Sequence, residues 1–277
     1  TRGYGRGELC PHSDIDLMFL YSKSLGGKTQ EALKETMTRE ILYPLWDSGL
    51  KVGHASRDVK EAIVEAQRDI RNKNSMLDGR FICGDRKLSE KFMDKFLKHC
   101  RKHEPEKYLE ELHSHQNERR IEKQSTVYLQ APDVKSGVGG LRDYQGVLWM
   151  IKVKFGNRGL EELTRRKYLT EQEANSFSEA YSFLLRVRNE LHFLSKRPVD
   201  ILHLEKQPEV ALGLGYNEGD IFRRVELFMG EYYSNARTIN QLTQILEQRM
   251  VHSTAGSTSK ISFSKGFLQE IKVFNLR

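Results

Sequence analysis

Two aspartates, Asp14 and Asp16, open an apolar run, Ile15-Asp16-Leu17-Met18-Phe19-Leu20-Tyr21, with β-branched and aromatic content and no Gly or Pro. Such a run reads as a buried strand. Residues i and i+2 of a strand share a face, about 6.6 Å apart along it. Carboxylates held that close repel one another unless a cation sits between them. A hard divalent ion with oxygen ligands is the natural partner, and Mg²⁺ shares such carboxylates with phosphates. Upstream, Gly3, Gly5 and Gly7 make a side-chain-poor segment whose backbone N–H groups can approach a phosphate chain. An Asp-x-Asp pair alone is most often a solvated turn, and three glycines alone are often a plain loop. In this order, with Ser13 ahead of the pair and a strand behind it, they make a layout suited to nucleotidyl transfer.

The elements that position these residues are expected to alternate. After a polar loop from Ser22 to Lys28, Gln30 to Leu42 reads as a helix with Leu33, Met37 and Ile41 on one face. Pro44 is expected to end or kink it. Leu50 to Arg57 reads as the next strand, and Asp58 to Arg71 as a helix with Ile63, Ala66 and Ile70 inward. Phe81-Ile82-Cys83 closes this unit before the Gly84-Asp85 turn. Strand, helix, strand, helix is an α/β arrangement.

Lys87 to Gln124 is dense in charge and reads as one or two exposed connecting helices with a sparse apolar face of Phe92, Phe96, Leu97, Tyr108 and Leu112. His99, His103, His113 and His115 lie in this stretch, but no i, i+4 pair comes with a third ligand at metal spacing. Val127 to Leu129 is a short strand candidate. Lys135-Ser-Gly-Val-Gly-Gly-Leu-Arg142 then places three glycines before a helix from Leu141 to Phe155. A glycine turn opening a helix presents free N–H groups to an anion, and Lys135 and Arg142 add side-chain charge. Glu171 to Leu194 and Ile221 to Met250 carry long helical stripes of core residues. The polar stretch Arg186 to His192 reads as a hydrogen-bond network between helices. A Ser- and Thr-rich linker, His252 to Lys260, and a short apolar tail follow.

At 277 residues the chain can hold one large or two ordinary domains. With 38% hydrophobic and 30% charged residues it has the composition of a soluble globular protein, and its longest apolar runs fall far short of a membrane span. No charged-then-apolar leader opens it. Cys10, Cys83 and Cys100 match neither a zinc site nor a disulfide framework, so a reducing cytoplasm is expected. The net charge of +7 favours acidic partners. It is spread along the chain, without a basic tract interleaved with aromatics, so nucleic acid is permitted rather than indicated.

Gly3 to Tyr21, GYGRGELCPHSDIDLMFLY, resembles the nucleotidyltransferase motif of the DNA polymerase β superfamily, and more closely the bacterial PII-protein uridylyltransferase family. Two later blocks resemble the same family: Pro44 to His54, and Asp133 to Asp143 followed by Trp149. The resemblance implies an α+β fold: a polymerase β-like nucleotidyltransferase α/β domain over residues 1–108, then an all-α helical domain over 109–277. It implies that Asp14 and Asp16 hold two Mg²⁺ ions. Gly3, Gly5, Arg6, Ser13, Lys135, Gly139, Gly140 and Arg142 are the implied nucleotide-binding residues. Many superfamily members place a third carboxylate on the neighbouring strand. Here Gly53-His54 takes that place, as in the PII enzymes, and Asp47, Asp58 and Asp69 are the unranked alternatives. His54 is read as structural or nucleotide-contacting. The family usually carries Gly-Gly where this chain has Arg2-Gly3.

The implied activity is transfer of a nucleoside monophosphate from an NTP, UTP favoured, to a protein hydroxyl such as a Tyr of a PII signalling protein. Two other readings stand beside it: transfer to an RNA 3′ end, and a catalytically weak nucleotide-sensing module. The chain begins almost on the glycine motif, and it has no adjacent His-Asp pair of the kind that marks the hydrolase domain of full-length PII enzymes. A fragment without the uridylyl-removing half is therefore expected.

Overall fold

The computed structural model describes residues 1–23, 25–102, 105–156 and 158–252. It is mostly helical, with one small parallel sheet. Strands β1 (Ile15–Tyr21) and β2 (Val52–Asp58) pair from Ile15 opposite Val52 to Tyr21 opposite Asp58. Helix α1 (Arg2–Arg6) precedes β1 and closes on Gly7, whose φ of 76° suits a residue without Cβ. The glycine segment is thus a short helix and its cap, not an open turn. Parallel strands need a crossover, supplied by α2 (Gly27–Met37), a π-helical turn (Thr38–Leu42) and α3 (Tyr43–Asp47). Met18 and Leu20 of β1 face the core. Phe19, His54 and Ser56 face Met37 and Leu42 of the crossover on the other side.

The crossover departs from the expected stripe. A π-helical turn inserts one residue, so the inward position after Met37 falls on Leu42 (1% exposed) and Ile41 turns outward (39%). Pro44 lies within the first turn of α3, where its missing N–H costs little, and does not end the helical segment. The helix expected over 58–71 divides into α4 (Val59–Arg68) and α5 (Ile70–Leu77) at Asp69, which is extended (φ −144°, ψ 124°). Asp69 caps α5 by accepting from the Arg71 N–H, and Asp58 opens α4 in a reciprocal capping box with Glu61.

Helices α6 (Arg86–Lys102) and α7 (Pro105–Glu122) are not a solvated connector. Phe92, Phe96, Cys100, Tyr108, Leu109 and Leu112 are buried in the same continuous core as the helices that follow. Those are α8 (Leu141–Phe155), α9 (Glu161–Arg165), α10 (Glu171–Ser195), α11 (Gln207–Gly213) and α12 (Ile221–His252). Phe177, Tyr181, Leu184 and Leu191 of α10 are buried, as are Phe228, Tyr232, Ala236, Ile239 and Leu246 of α12. Val127–Leu129 is irregular rather than a strand. The extended pairing occurs later, at a bridge between Asp133 and Ile201, with Val134 N–H donating to Asp200 O (2.8 Å) and Leu202 N–H to Pro132 O (2.9 Å). The linker and tail beyond His252 lie outside the described residues, as does His103.

One buried ionic cluster ties α7, α8 and α12 together. Arg120 donates to Asp143 from Nη2 (2.9 Å) and Nε (3.1 Å), and to both oxygens of Glu247 (2.8 Å each). Arg119 adds a further bond to Asp143. The side chains of Asp143 and Glu247 are 0% and 1% exposed. Removing one partner of such a cluster leaves charge buried without compensation. Arg120→Ala is therefore expected to lower unfolding free energy by about 3 kcal/mol or more, measured by urea titration.

Candidate functional site

A polar cleft forms where the start of β1 meets the loop before α8 and the middle of α10. Asp14 is exposed just ahead of β1, and Asp16 is half-buried on it. Both line the cleft. Asp16 pairs in register with Gly53, and a Cβ at position 53 would stand 3.2 Å from Asp16 Oδ1. The neighbouring strand therefore leaves room for the carboxylate instead of adding another. Asp58 and Asp69 are engaged as helix caps, Asp47 is exposed at the end of α3, and none of the three lines the cleft. His54 packs on the opposite face beside Trp46, ring centroids 5.8 Å apart. Among the described residues no group of three or more His, Cys, Asp and Glu side chains is placed to hold a metal ion. Two carboxylates on one face, open toward a cleft with room for phosphates, do fit Mg²⁺, which completes its shell with water and substrate oxygens.

The opposite wall is cationic. Lys135 Nζ lies 3.4 Å from Asp200 Oδ2. Burial pushes its ammonium below the ordinary lysine range; the charges of Arg188 and Arg142 add to that effect and Asp200 opposes it. Arg142 donates from Nη1 to Gln145 Oε1 (3.0 Å) and lies over the Trp149 ring (5.9 Å). Arg188 Nε donates to Asp200 Oδ1 (2.7 Å). Burial disfavours the Asp200 carboxylate, but hydrogen bonds from His192 and Arg188 and the charges of Arg188 and Lys135 outweigh it, holding Asp200 well below the usual range. The Ser13 hydroxyl is buried at the cleft wall with no hydrogen-bond partner among the described residues. An orphaned buried hydroxyl is a donor in search of an acceptor. Cys10 is buried (2% exposed), and that burial pushes its thiol up, with Arg188 opposing.

The cleft thus brings together Gly3, Arg6, Ser13, Asp14, Asp16, Lys135 and Arg142. Gly5, Gly139 and Gly140 do not line it. A Cβ would stand 1.8 Å from Asp78 O at Gly5, 2.0 Å from Ala236 O at Gly139 (φ +70°), and 2.9 Å from Val134 O at Gly140. Their bareness serves close backbone packing. Nor does the turn before α8 offer the free N–H groups expected of it. Its amides bond inward: Gly137 to Asp133 O (2.8 Å), Gly139 to Asp143 Oδ2 (2.7 Å), Gly140 to Gly137 O (3.0 Å), Leu141 to Val134 O (3.0 Å) and Arg142 to Lys135 O (2.9 Å). Any anion at this wall meets side chains. Sequence reasoning missed Glu8, Gln145, Arg188 and Asp200 as lining residues. Arg188 lay within a stretch read as an interhelical network, which it also is. Asp200 gave no local signal, since it reaches the cleft only through the bridge of Ile201 to Asp133.

Residues 107–247 match the family model described as GlnD PII-uridylyltransferase. The chain belongs to this family. Similar proteins named bifunctional uridylyltransferase/uridylyl-removing enzyme include that of Rhodospirillum rubrum, 36% identical over 243 residues (88% of this chain, 25% of the relative). That of a Bradyrhizobium species is 37% identical over 246 residues (89% and 26%), and that of Azospirillum brasilense 33% over 245 (88% and 26%). The chain spans about a quarter of the length of the curated relatives it matches.

The Asp200 clamp carries a pH signature. A carboxylate whose folded pKa is depressed contributes stability above its unfolded pKa and loses it as pH falls through the folded one. The stability difference between the wild type and Asp200→Asn is expected to be constant above about pH 5 and to narrow below about pH 4. Denaturant titrations at several pH values measure it.

Proposed function

We propose that this member of the family transfers a nucleoside monophosphate, UMP from UTP in the favoured case, to a hydroxyl of a PII-type signalling protein in the cytoplasm. We propose with it that the α/β part is the polymerase β-like nucleotidyltransferase unit. The observation that carries the reading is the cleft itself: Asp14 and Asp16 on one wall face Lys135 and Arg142 on the other, from stretches far apart in sequence. The relatives' names supply the reaction class. Among the described residues no helix is long and apolar enough to cross a membrane.

In this reading Asp14 and Asp16 hold Mg²⁺, which supplies neutralisation of triphosphate charge when bound. The Ser13 hydroxyl donates to a phosphate oxygen, and Lys135 and Arg142 orient the phosphates from the far wall. The acceptor hydroxyl oxygen attacks the α-phosphorus, its new P–O bond replacing the bond to the departing pyrophosphate, and its proton passes to solvent. Arg188 stays with Asp200 and keeps the cationic wall in place. No covalent enzyme intermediate is needed.

Incubation with each labelled NTP, Mg²⁺ and a PII protein, read by intact mass, tests the assignment; absence of labelled acceptor with every NTP overturns it. Asp14→Asn and Asp16→Asn should each lower transfer by several kcal/mol, on the order of a thousandfold or more, with the fold retained. Lys135→Ala and Arg142→Ala should raise KM or lower kcat with little change in Tm, since partly exposed charges contribute little to stability. The chain should not release UMP from modified PII protein, with Mn²⁺ or without; detectable hydrolysis by the purified chain would contradict a transfer-only role.

A further inference from the structure

A thread of hydrogen bonds joins the two walls of the cleft without touching the aspartates. Arg142 donates to Gln145 Oε1 (3.0 Å), Gln145 Nε2 donates to the Tyr181 hydroxyl (3.1 Å), and that hydroxyl donates to Glu8 Oε2 (2.6 Å). The same oxygen of Glu8 accepts Nε of Arg6 (2.7 Å). Arg6 reaches on to Asp78, which also accepts from Lys152 Nζ (3.4 Å).

The direction of each link is forced. An ionised carboxylate only accepts, so the Tyr181 hydroxyl must point its proton at Glu8. Its lone pairs then take the Gln145 NH₂ group, and this turns the Gln145 carbonyl toward Arg142. With the Tyr181 hydroxyl absent, Arg142 still calls for the carbonyl end of the Gln145 amide, but Gln145 Nε2 loses the acceptor that anchors it. Packing fixes the Tyr181 ring, which is buried and stacks on Tyr144, centroids 3.9 Å apart and planes 9° from parallel. Burial and the charge of Glu8 push its phenol far above the ordinary range, so it remains a donor at any working pH.

We propose that Tyr181 is a positioning residue: held by Glu8, it anchors the Gln145 amide, which in turn holds Arg142, and so couples the cationic wall to the segment that precedes Asp14. The ligand half of this inference rests on the nucleotide-binding reading of the cleft; the geometric half does not.

Two arms test it. In crystal structures of ligand-free Tyr181→Phe, the Gln145 side chain, its Nε2 anchor gone, is expected to shift from its place, with Arg142 leaving the position it holds in the wild type. Gln145→Leu should displace Arg142 in the same way and serves if Tyr181→Phe does not fold. Arg142 unmoved in either variant overturns the proposal. In the second arm the dissociation constant of Mg²⁺·UTP is measured for the wild type, Tyr181→Phe, Arg142→Ala and the double variant. Tyr181→Phe should weaken binding about fivefold, the loss of roughly one hydrogen bond. The double variant should bind no more weakly than Arg142→Ala alone, a non-additivity that general destabilisation would not produce. Additive losses overturn the proposal. If the wild type binds no nucleotide, the functional reading fails while the first arm still decides the positioning role.

Discussion

The cationic wall of the cleft depends on Asp143. Its carboxylate has no contact with solvent, yet it is ionically matched by Arg119 and Arg120 and accepts the Gly139 N–H (2.7 Å). A buried charge without partners is costly, and this one is supplied with donors from α7 and from its own loop. The bond to Gly139 pins the turn that carries Lys135 and Arg142 to the start of α8. Arg120 extends the cluster to Glu247 on α12 (2.8 Å), so three helices and one loop share a single set of charges. Burial pushes the Arg120 guanidinium down, and bonds to Glu247 and the nearby Asp143 charge more than reverse it. The loop is consequently rigid at its root and polar at its tip, as a wall that meets a ligand through side chains needs to be.

Glycine has two meanings in this chain, and sequence alone does not separate them. At Gly53 the missing side chain clears the space taken by the Asp16 carboxylate, so it bears on the site directly. At Gly5 and Gly139 it lets a carbonyl from another element approach to where a Cβ would stand. The segments around Gly5 and Gly139 read as bare and suited to phosphates, but their glycines serve packing. The difference lies in what approaches from outside the segment: Asp78 of the turn after α5 in one case, Ala236 of α12 in the other. Neither is near in sequence.

What was legible had a strong local period. The starts and ends of α8, α10 and α12 fell within two residues of expectation because their apolar stripes are long and begin at clear caps, such as Thr170 with Glu173 ahead of α10. The two strands were legible as elements, β1 from its apolar run and β2 as the next strand after a helix; their parallel pairing is a finding of the structure. The π-helical turn was not, because an added residue shifts the buried face from Ile41 to Leu42 without any change in composition. The break at Asp69 was not, because an aspartate within a helical stripe is read as a solvated side chain rather than as a cap. The charge-rich α6 and α7 looked like a solvated connector because one thin apolar face sufficed to bury Phe92, Phe96, Tyr108 and Leu112. In the cleft, Asp14, Asp16, Lys135 and Arg142 announced themselves by motif. Glu8 and Asp200 did not, since their roles come from cations brought to them by the fold.

Those two carboxylates decide what the cleft can accept. Counted by residue type, four acids and four bases line it, and by that count the cleft is electrically neutral. The pairing is uneven. Glu8 is bound to Arg6 and Tyr181, and Asp200 to Arg188, with Lys135 and His192 nearby. Arg6 and Arg188 are thereby directed toward the protein. Across the opening the Asp14 and Asp16 carboxylates lie on the sheet side and Arg142 and Lys135 on the helical side. Burial and neighbouring positive charge oppose the ionisation of Lys135, an arrangement that an incoming anion relieves. A simple anion suits only one wall, and a simple cation only the other. In the function proposed above, a polyphosphate carrying a divalent cation would suit both walls at once, held by the two aspartates on one side and by Lys135, Arg142 and the Ser13 hydroxyl on the other. The separation of charge across the opening, rather than net charge, is what the proposed metal–nucleotide reading of the cleft rests on.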